Sequence, residues 1–324
     1  MLSNNYLLMV TAGLQKNHAF GDADRLQKQK PASRGLTCWV EPAYRPFRDF
    51  CGLSQTDGPM ARHSLQCARQ YNNNEPTMTT KHTTAFPVSF AIACALGQFL
   101  LTIMILKLGR GMVAPEAFGK VKLIAFASTI VFPLMLAHAF GLWQRLGLGL
   151  DRIRPEPVFL ASLATAALFL PWGLRSASGG QLASDFTIQF FNAFGEELLF
   201  RGVIFALLVS LPAWRGIVLN GLLFGAMHLI HGFMDTDWKT ACWKMLVTSI
   251  CGMMFTAVRY RSGSLWLCVV VHMVLNLCMM YSKVQDAAGS TAFMVERAAN
   301  VIELAVAAWV IAGARRAQPA PVLA

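Results

Sequence analysis

The chain has 324 residues, of which 55% are hydrophobic and only 14% charged, and its mean hydropathy is positive at +0.46. That balance excludes an ordinary soluble domain of this length and points to a polytopic membrane protein. The formal charge of +11 would suit nucleic acid, but the Lys and Arg residues are scattered over the N-terminal region and the short loops between apolar runs, so anionic lipid headgroups are the expected counter-charge.

Residues 1–80 are polar, irregular and rich in Asn, Gln, Pro and Arg, and their short apolar run YLLMV lacks the basic flank of a signal peptide. Disorder is expected here, or an extension upstream of a true start at Met78, from which TTKHTTAFPVSF leads into the first long apolar run. Apolar segments then follow near 86–106, 121–143, 157–174, 186–211, 214–232, 241–258, 264–282 and 299–313. Most have the roughly 20 residues that a bilayer core requires, and lipid permits no open sheet edge. The expected fold is therefore all-α, a transmembrane bundle of about eight helices. Lys107, Arg110, Lys120 and Lys122 flank one loop and Arg145, Arg152 and Arg154 the next, so counting basic residues assigns no orientation. Cys94, Cys242, Cys251, Cys268 and Cys278 lie in or beside apolar segments without a CxxC pair and read as buried thiols, while Cys38, Cys51 and Cys67 fall in the polar N-terminal region.

The fourth segment carries Glu196, Glu197 and Arg201 in the middle of FTIQFFNAFGEELLFRGVIFALLVSL. Each charge at the centre of a membrane helix costs about 2.5 to 3.5 kcal/mol on insertion scales, so these three should face a protein interior or a wet cavity. Glu197 and Arg201, four residues apart, share a helix face and can pair. Glu196 points about 100° away and lacks that partner. A carboxylate in a poorly hydrated site suits general-base work, although three such residues could also simply lock helices together.

In the fifth segment, Gly221, Phe224, Gly225 and His228 fall on one stripe, and the two glycines form a small-xxx-small pair that admits another helix at close range. His228 should therefore face the bundle, where a lone histidine is more often a satisfied core residue than a catalyst. His231 reads as a polar residue at the segment end. In the seventh segment Ser262 or Ser264 can cap the helix start, and Trp266 sits at interfacial depth. His272 and Asn276 follow one turn apart on one face, an arrangement suited to donating hydrogen bonds to an oxyanion or to bonding another helix. Two acids, an arginine, two histidines and an asparagine on three helices are most economically explained by one shared cavity.

These residues resemble the CPBP intramembrane proteases, also called the ABI or type II CAAX prenyl endopeptidase family. EELLFR at 196–201 corresponds to its EExxxR motif, FGAMH at 224–228 to FxxxH and HMVLN at 272–276 to HxxxN, in the expected order. The apolar segments divide the chain after the N-terminal 1–80 into transmembrane helices over 81–180, helices over 181–285 and a last helix with its tail over 286–324; the resemblance covers about 185–282 and implies that the middle region is catalytic. It also implies an intramembrane endopeptidase in which Glu196 activates water with help from His228, and His272 and Asn276 stabilise the oxyanion. Glu197, Arg201 and Phe224 would be supporting residues. The expected partner is a membrane-embedded or lipidated peptide, with no nucleic acid, and the expected location is a bacterial inner membrane. A metal-free mechanism is favoured because the chain has no HExxH helix, with a zinc site of Glu196, His228 and His272 as the alternative. A rival reading from another class is a non-catalytic immunity or scaffold protein that shields a membrane target from a peptide toxin.

Overall fold

The structure, a computed structural model, describes residues 87–114, 117–234, 237–287 and 290–316. The expectations for residues 1–80, including the start at Met78 and Cys38, Cys51 and Cys67, lie outside the described residues. Helices α1 (Pro87–Met112) and α2 (Phe118–Ala139) pack together, joined in their apolar interior by Gln98, whose side-chain amide donates to Ser128 at 3.1 Å. Along α1 the residues Leu96, Leu100, Met104 and Leu108 recur every fourth position and are all more than half exposed. On a helix this spacing makes one stripe, an apolar face offered to lipid.

Helix α3 (Pro157–Ala167) is shorter than the expected segment over 157–174. Pro157 suits a first turn, and the chain beyond Ala167 turns through Pro171 to Gly173, whose φ of +78° is one that a side chain would oppose. Leu174 then forms an isolated antiparallel bridge with Ser282, the Arg175 N–H donates to the Tyr281 carbonyl at 2.7 Å, and Arg175 pairs with Asp286.

Helix α4 (Gly179–Glu197) starts at Ser178, whose hydroxyl accepts the Gln181 N–H. It continues without a break through a π-helical stretch, Leu198–Ile204, into the short α5 (Phe205–Leu208). Every residue of the π stretch is buried, so this span lies at the centre of the protein. Helix α6 (Ala213–Met227) ends at His228 and is followed by the short α7 (Ile230–Met234). Helix α8 (Trp238–Ser262) is capped by Asp237, which accepts the Thr240 N–H, and stops at Gly263 in the left-handed region at φ +67°. Helices α9 (Leu265–Tyr281) and α10 (Thr291–Arg316) complete the described bundle.

Helices α1, α2, α8 and α10 and the combined stretch Ala213–Met234 are long and apolar enough to cross a membrane, and the protein is a multi-pass membrane protein with an all-α fold. The expected last segment, 299–313, extends to Thr291–Arg316, because its first turns carry Glu296, Arg297 and Asn300 and so lack an apolar signature. The small-residue stripe acts as expected. A Cβ placed on Gly221 would lie 2.8 Å from the Ser249 carbonyl oxygen, and one on Gly225 would overlap Ser249, so α6 rests directly on the α8 backbone. Of the five cysteines read as buried thiols, Cys242 is exposed, on an outer face of α8.

Candidate active site

Glu196 and Glu197 occupy the end of α4, just before the π stretch that holds Arg201. Glu197 and Arg201 are both fully buried and form the expected pair, Arg201 Nη1 to Glu197 Oε1 at 3.1 Å. An ion pair removed from water needs further partners. Arg201 Nη2 donates to the Gly252 carbonyl at 2.8 Å, and the guanidinium lies 4.3 Å from the Phe224 ring centroid and 5.1 Å from that of Phe255. These ring faces attract a cation. Glu197 has a second partner that the helical spacing did not show: its Oε1 also meets His272 Nδ1 at 2.9 Å.

The Glu197 contact fixes the orientation of the His272 ring, which also stacks on Phe255 with centroids 4.9 Å apart. Its other nitrogen, Nε2, faces Glu196 Oε2 at 3.8 Å. Unlike its neighbour, Glu196 leaves a quarter of its side chain exposed, and it lines a cavity of about 500 Å³ together with His228, His272 and Asn276. Of the six residues expected to share one cavity, these four line it, whereas Glu197 and Arg201 are fully buried and do not.

His228 sits where α6 stops, and its Nδ1 lies 3.1 Å from the Phe224 carbonyl. A carbonyl can only accept, so Nδ1 carries the proton and Nε2 presents a lone pair. Irregular backbone at membrane depth is tolerated where it borders a cavity, as it does here. Phe224 is buried against both imidazoles, with centroids 5.3 Å from His228 and 6.0 Å from His272, and holds them apart.

Asn276 was expected to converge with His272 on one point. Instead its Nδ2 donates to Gln189 Oε1 at 3.0 Å, so each of the two has its own protein partner while facing the same space. Gln189 was missed, although it lies seven residues, two helical turns, before Glu196 and so on the same face of α4. His231 is not a bare helix-end residue: it lines the cavity from α7, and its Nε2 lies 2.8 Å from Lys244 Nζ on α8. Ser264 precedes α9 without capping it, and its N–H instead donates to Ser262 Oγ at 3.1 Å. Trp266 donates its indole N–H to the Leu148 carbonyl at 2.8 Å.

The zinc alternative requires Glu196, His228 and His272 around one ion. Among the described residues no three His, Cys, Asp or Glu side chains are gathered in that way. The mechanism proposed below is written with water and the side chains alone.

Residues 178–278 match the family model described as type II CAAX prenyl endopeptidase Rce1-like. No curated protein and no solved structure matches the chain. The matched stretch runs from the capping Ser178 into α9 and contains EELLFR, FGAMH and HMVLN with the cavity-facing groups they supply. Over residues 178–278, which hold all three motifs, the chain is thus similar to the type II CAAX prenyl endopeptidase family.

Proposed function

We propose that this protein is an intramembrane endopeptidase that hydrolyses a peptide bond with water as the nucleophile, Glu196 as general base and His228 as a second acceptor for that water. The observation that carries this reading is the 3.8 Å approach of Glu196 Oε2 to His272 Nε2 at the cavity wall. That separation is too long for a hydrogen bond between them, so a reacting atom can contact both. On this reading the water gives its proton to Glu196 and its oxygen adds to the substrate carbonyl. His272 Nε2 donates to the resulting oxyanion, which requires a doubly protonated ring, and Glu197 on Nδ1 balances that charge. Asn276 has two amide hydrogens and gives one to Gln189, which leaves the second for the oxyanion. When the C–N bond breaks, Glu196 returns its proton to the leaving amine.

The substrate class is a membrane-embedded or lipidated peptide in a bacterial inner membrane. Its support is a cavity inside the membrane-spanning bundle, walled by side chains such as Phe126, Leu199 and Leu275. Comparing membrane peptides from cells holding the wild type or Glu196→Gln tests the reading, since loss of the general base lowers the rate by about 10²-fold or more. Unchanged products in cells holding a folded Glu196→Gln protein would return the assignment to the immunity or scaffold class. Elemental analysis of active, chelator-washed protein tests the metal-free chemistry, which stoichiometric zinc with zinc-dependent cleavage would overturn.

A further inference from the structure

The cavity wall formed by α1 and α2 lies outside the matched stretch and has no part in the hydrolytic reading. Gln98 on α1 is buried and lines the cavity, and its Nε2 donates to Thr102 Oγ1 at 2.9 Å and to Ser128 Oγ at 3.1 Å. Both hydroxyls commit their own hydrogen to backbone carbonyls, Thr102 to that of Gln98 at 2.9 Å and Ser128 to that of Ala125 at 2.7 Å. Toward Gln98 they can therefore only accept. This fixes the amide, with Nε2 as the end that faces the hydroxyls and Oε1 as the end turned away from them.

Oε1 has no hydrogen-bond donor among the described residues. A buried acceptor without a donor is costly, most of all in apolar surroundings, so a donor that enters the cavity gains more here than it would in water. Thr129 on α2 is of the same kind: its hydroxyl hydrogen goes to the Phe126 carbonyl at 2.7 Å, which leaves an acceptor on the cavity wall. Lys122 lines this wall too, two turns nearer the start of α2, with its Nζ 5.3 Å from the Phe118 ring centroid. A Cβ on Gly195 would overlap Thr129 Oγ1, so α2 rests on α4 at the residue before Glu196, and α9 packs on α4 as well. The acceptors around Gln98 and the proposed oxyanion donors of α9 thus adjoin the same helix, the one that carries the general base. A trans peptide unit has matching needs. Its C=O and N–H point in opposite directions, so a chain that turns a carbonyl to His272 and Asn276 presents N–H groups to another wall.

We propose that Gln98 Oε1 accepts a backbone N–H of the bound peptide, so that the α1–α2 wall sets the register in which a carbonyl meets His272 and Asn276; this contact rests on the reading of the cavity as a peptide site, but it is measured by binding alone. Full-length Glu196→Gln protein in lipid nanodiscs is titrated with a fluorescent Leu–Ala peptide, both ends blocked, and with a series in which one peptide N–H at a time is replaced by an ester oxygen. The ester at one position binds about tenfold more weakly than the parent peptide. That penalty disappears in Gln98→Met, and also in Gln98→Asn, which withdraws the acceptor by one methylene and keeps the site polar. Neither variant strands a hydrogen, because the Thr102 and Ser128 hydroxyls keep their carbonyl partners. Where Gln98→Met does not fold, Gln98→Asn decides by the same criterion. Equal affinity along the series, even with every peptide weakened alike by Gln98→Met, assigns Oε1 to water or to packing and overturns the proposal, as does an ester penalty that survives Gln98→Met. The two readings fail separately: cleavage by wild-type protein with no position-specific ester effect removes the Gln98 contact and leaves the hydrolase, whereas a Gln98-dependent ester penalty without cleavage does the reverse.

Discussion

Two glutamates adjacent in sequence have opposite surroundings. Glu197 is sealed between Arg201 and His272, while Glu196 meets the cavity. Replacing Glu197 with Gln keeps its shape but leaves Arg201 as a buried charge without its carboxylate, which costs about 3 to 5 kcal/mol. Thermal unfolding in detergent should show a large loss for Glu197→Gln and little change for Glu196→Gln, and equal losses would contradict the division of labour drawn here. Gln189 gives a subtler test. Its one hydrogen bond orients Asn276, so Gln189→Leu should slow cleavage about tenfold while the protein stays folded, the scale of one net hydrogen bond expressed in a rate. Of this chemistry, the Glu197 to Arg201 pair was readable from spacing alone. The bond from Glu197 to His272 joins residues 75 positions apart, and no helical period in the sequence could show it.

Among elements, the contact of α6 with α8 determines where His228 lies. Gly225→Leu would drive a side chain into Ser249 and the Met245 carbonyl, and backbone cannot give way as a flexible side chain can. Overpacking of this kind costs about 1 to 3 kcal/mol and would displace His228, one turn further on, so both stability and cleavage should fall. Gly216 on the same helix is the control: an added methyl would lie 3.5 Å from the Leu208 carbonyl, ordinary contact, and Gly216→Ala should leave stability equal or higher by about 0.5 kcal/mol. If both variants unfold alike, the close approach is not what matters. The small-xxx-small pair made this packing legible. The role of Arg259 was not, because it falls just past the expected end of the sixth segment, at 258. The structure turns it inward, where Nε donates to the Arg201 carbonyl at 2.9 Å and Nη2 to the Arg145 carbonyl at 2.8 Å.

For the molecule as a whole, the bundle was legible because apolar runs of bilayer length leave few architectures open. What the runs concealed were the true helix ends: α3 stops before the turn through Pro171 and Gly173, and α10 begins two turns before its apolar part because Glu296, Arg297 and Asn300 face the cavity wall. The cavity is thus a property of the assembled helices and of no one segment. Filling it should separate folding from function. Val247→Trp, on the α8 wall one turn from Lys244, should leave the protein in the alkali-resistant membrane fraction and lower cleavage more than tenfold by excluding peptide. Retained cleavage in that variant would mean that substrate is handled elsewhere.

The wide turns from Leu198 to Ile204 have a consequence for how this span tolerates length changes. A turn closed by i to i+5 bonds takes in about one residue more than an α turn, so the two flanks of the span are out of phase with each other. Deleting one residue there with rewinding to ordinary α-helix nearly cancels that offset, but rewinding all seven residues would rotate one flank against the other by about 100°. Either the acids would swing off the cavity, or Phe205 would leave its place beneath the Arg259 guanidinium, 5.1 Å from its ring. A regular α-helix, harmless in most apolar runs, would here disconnect the acids from their scaffold.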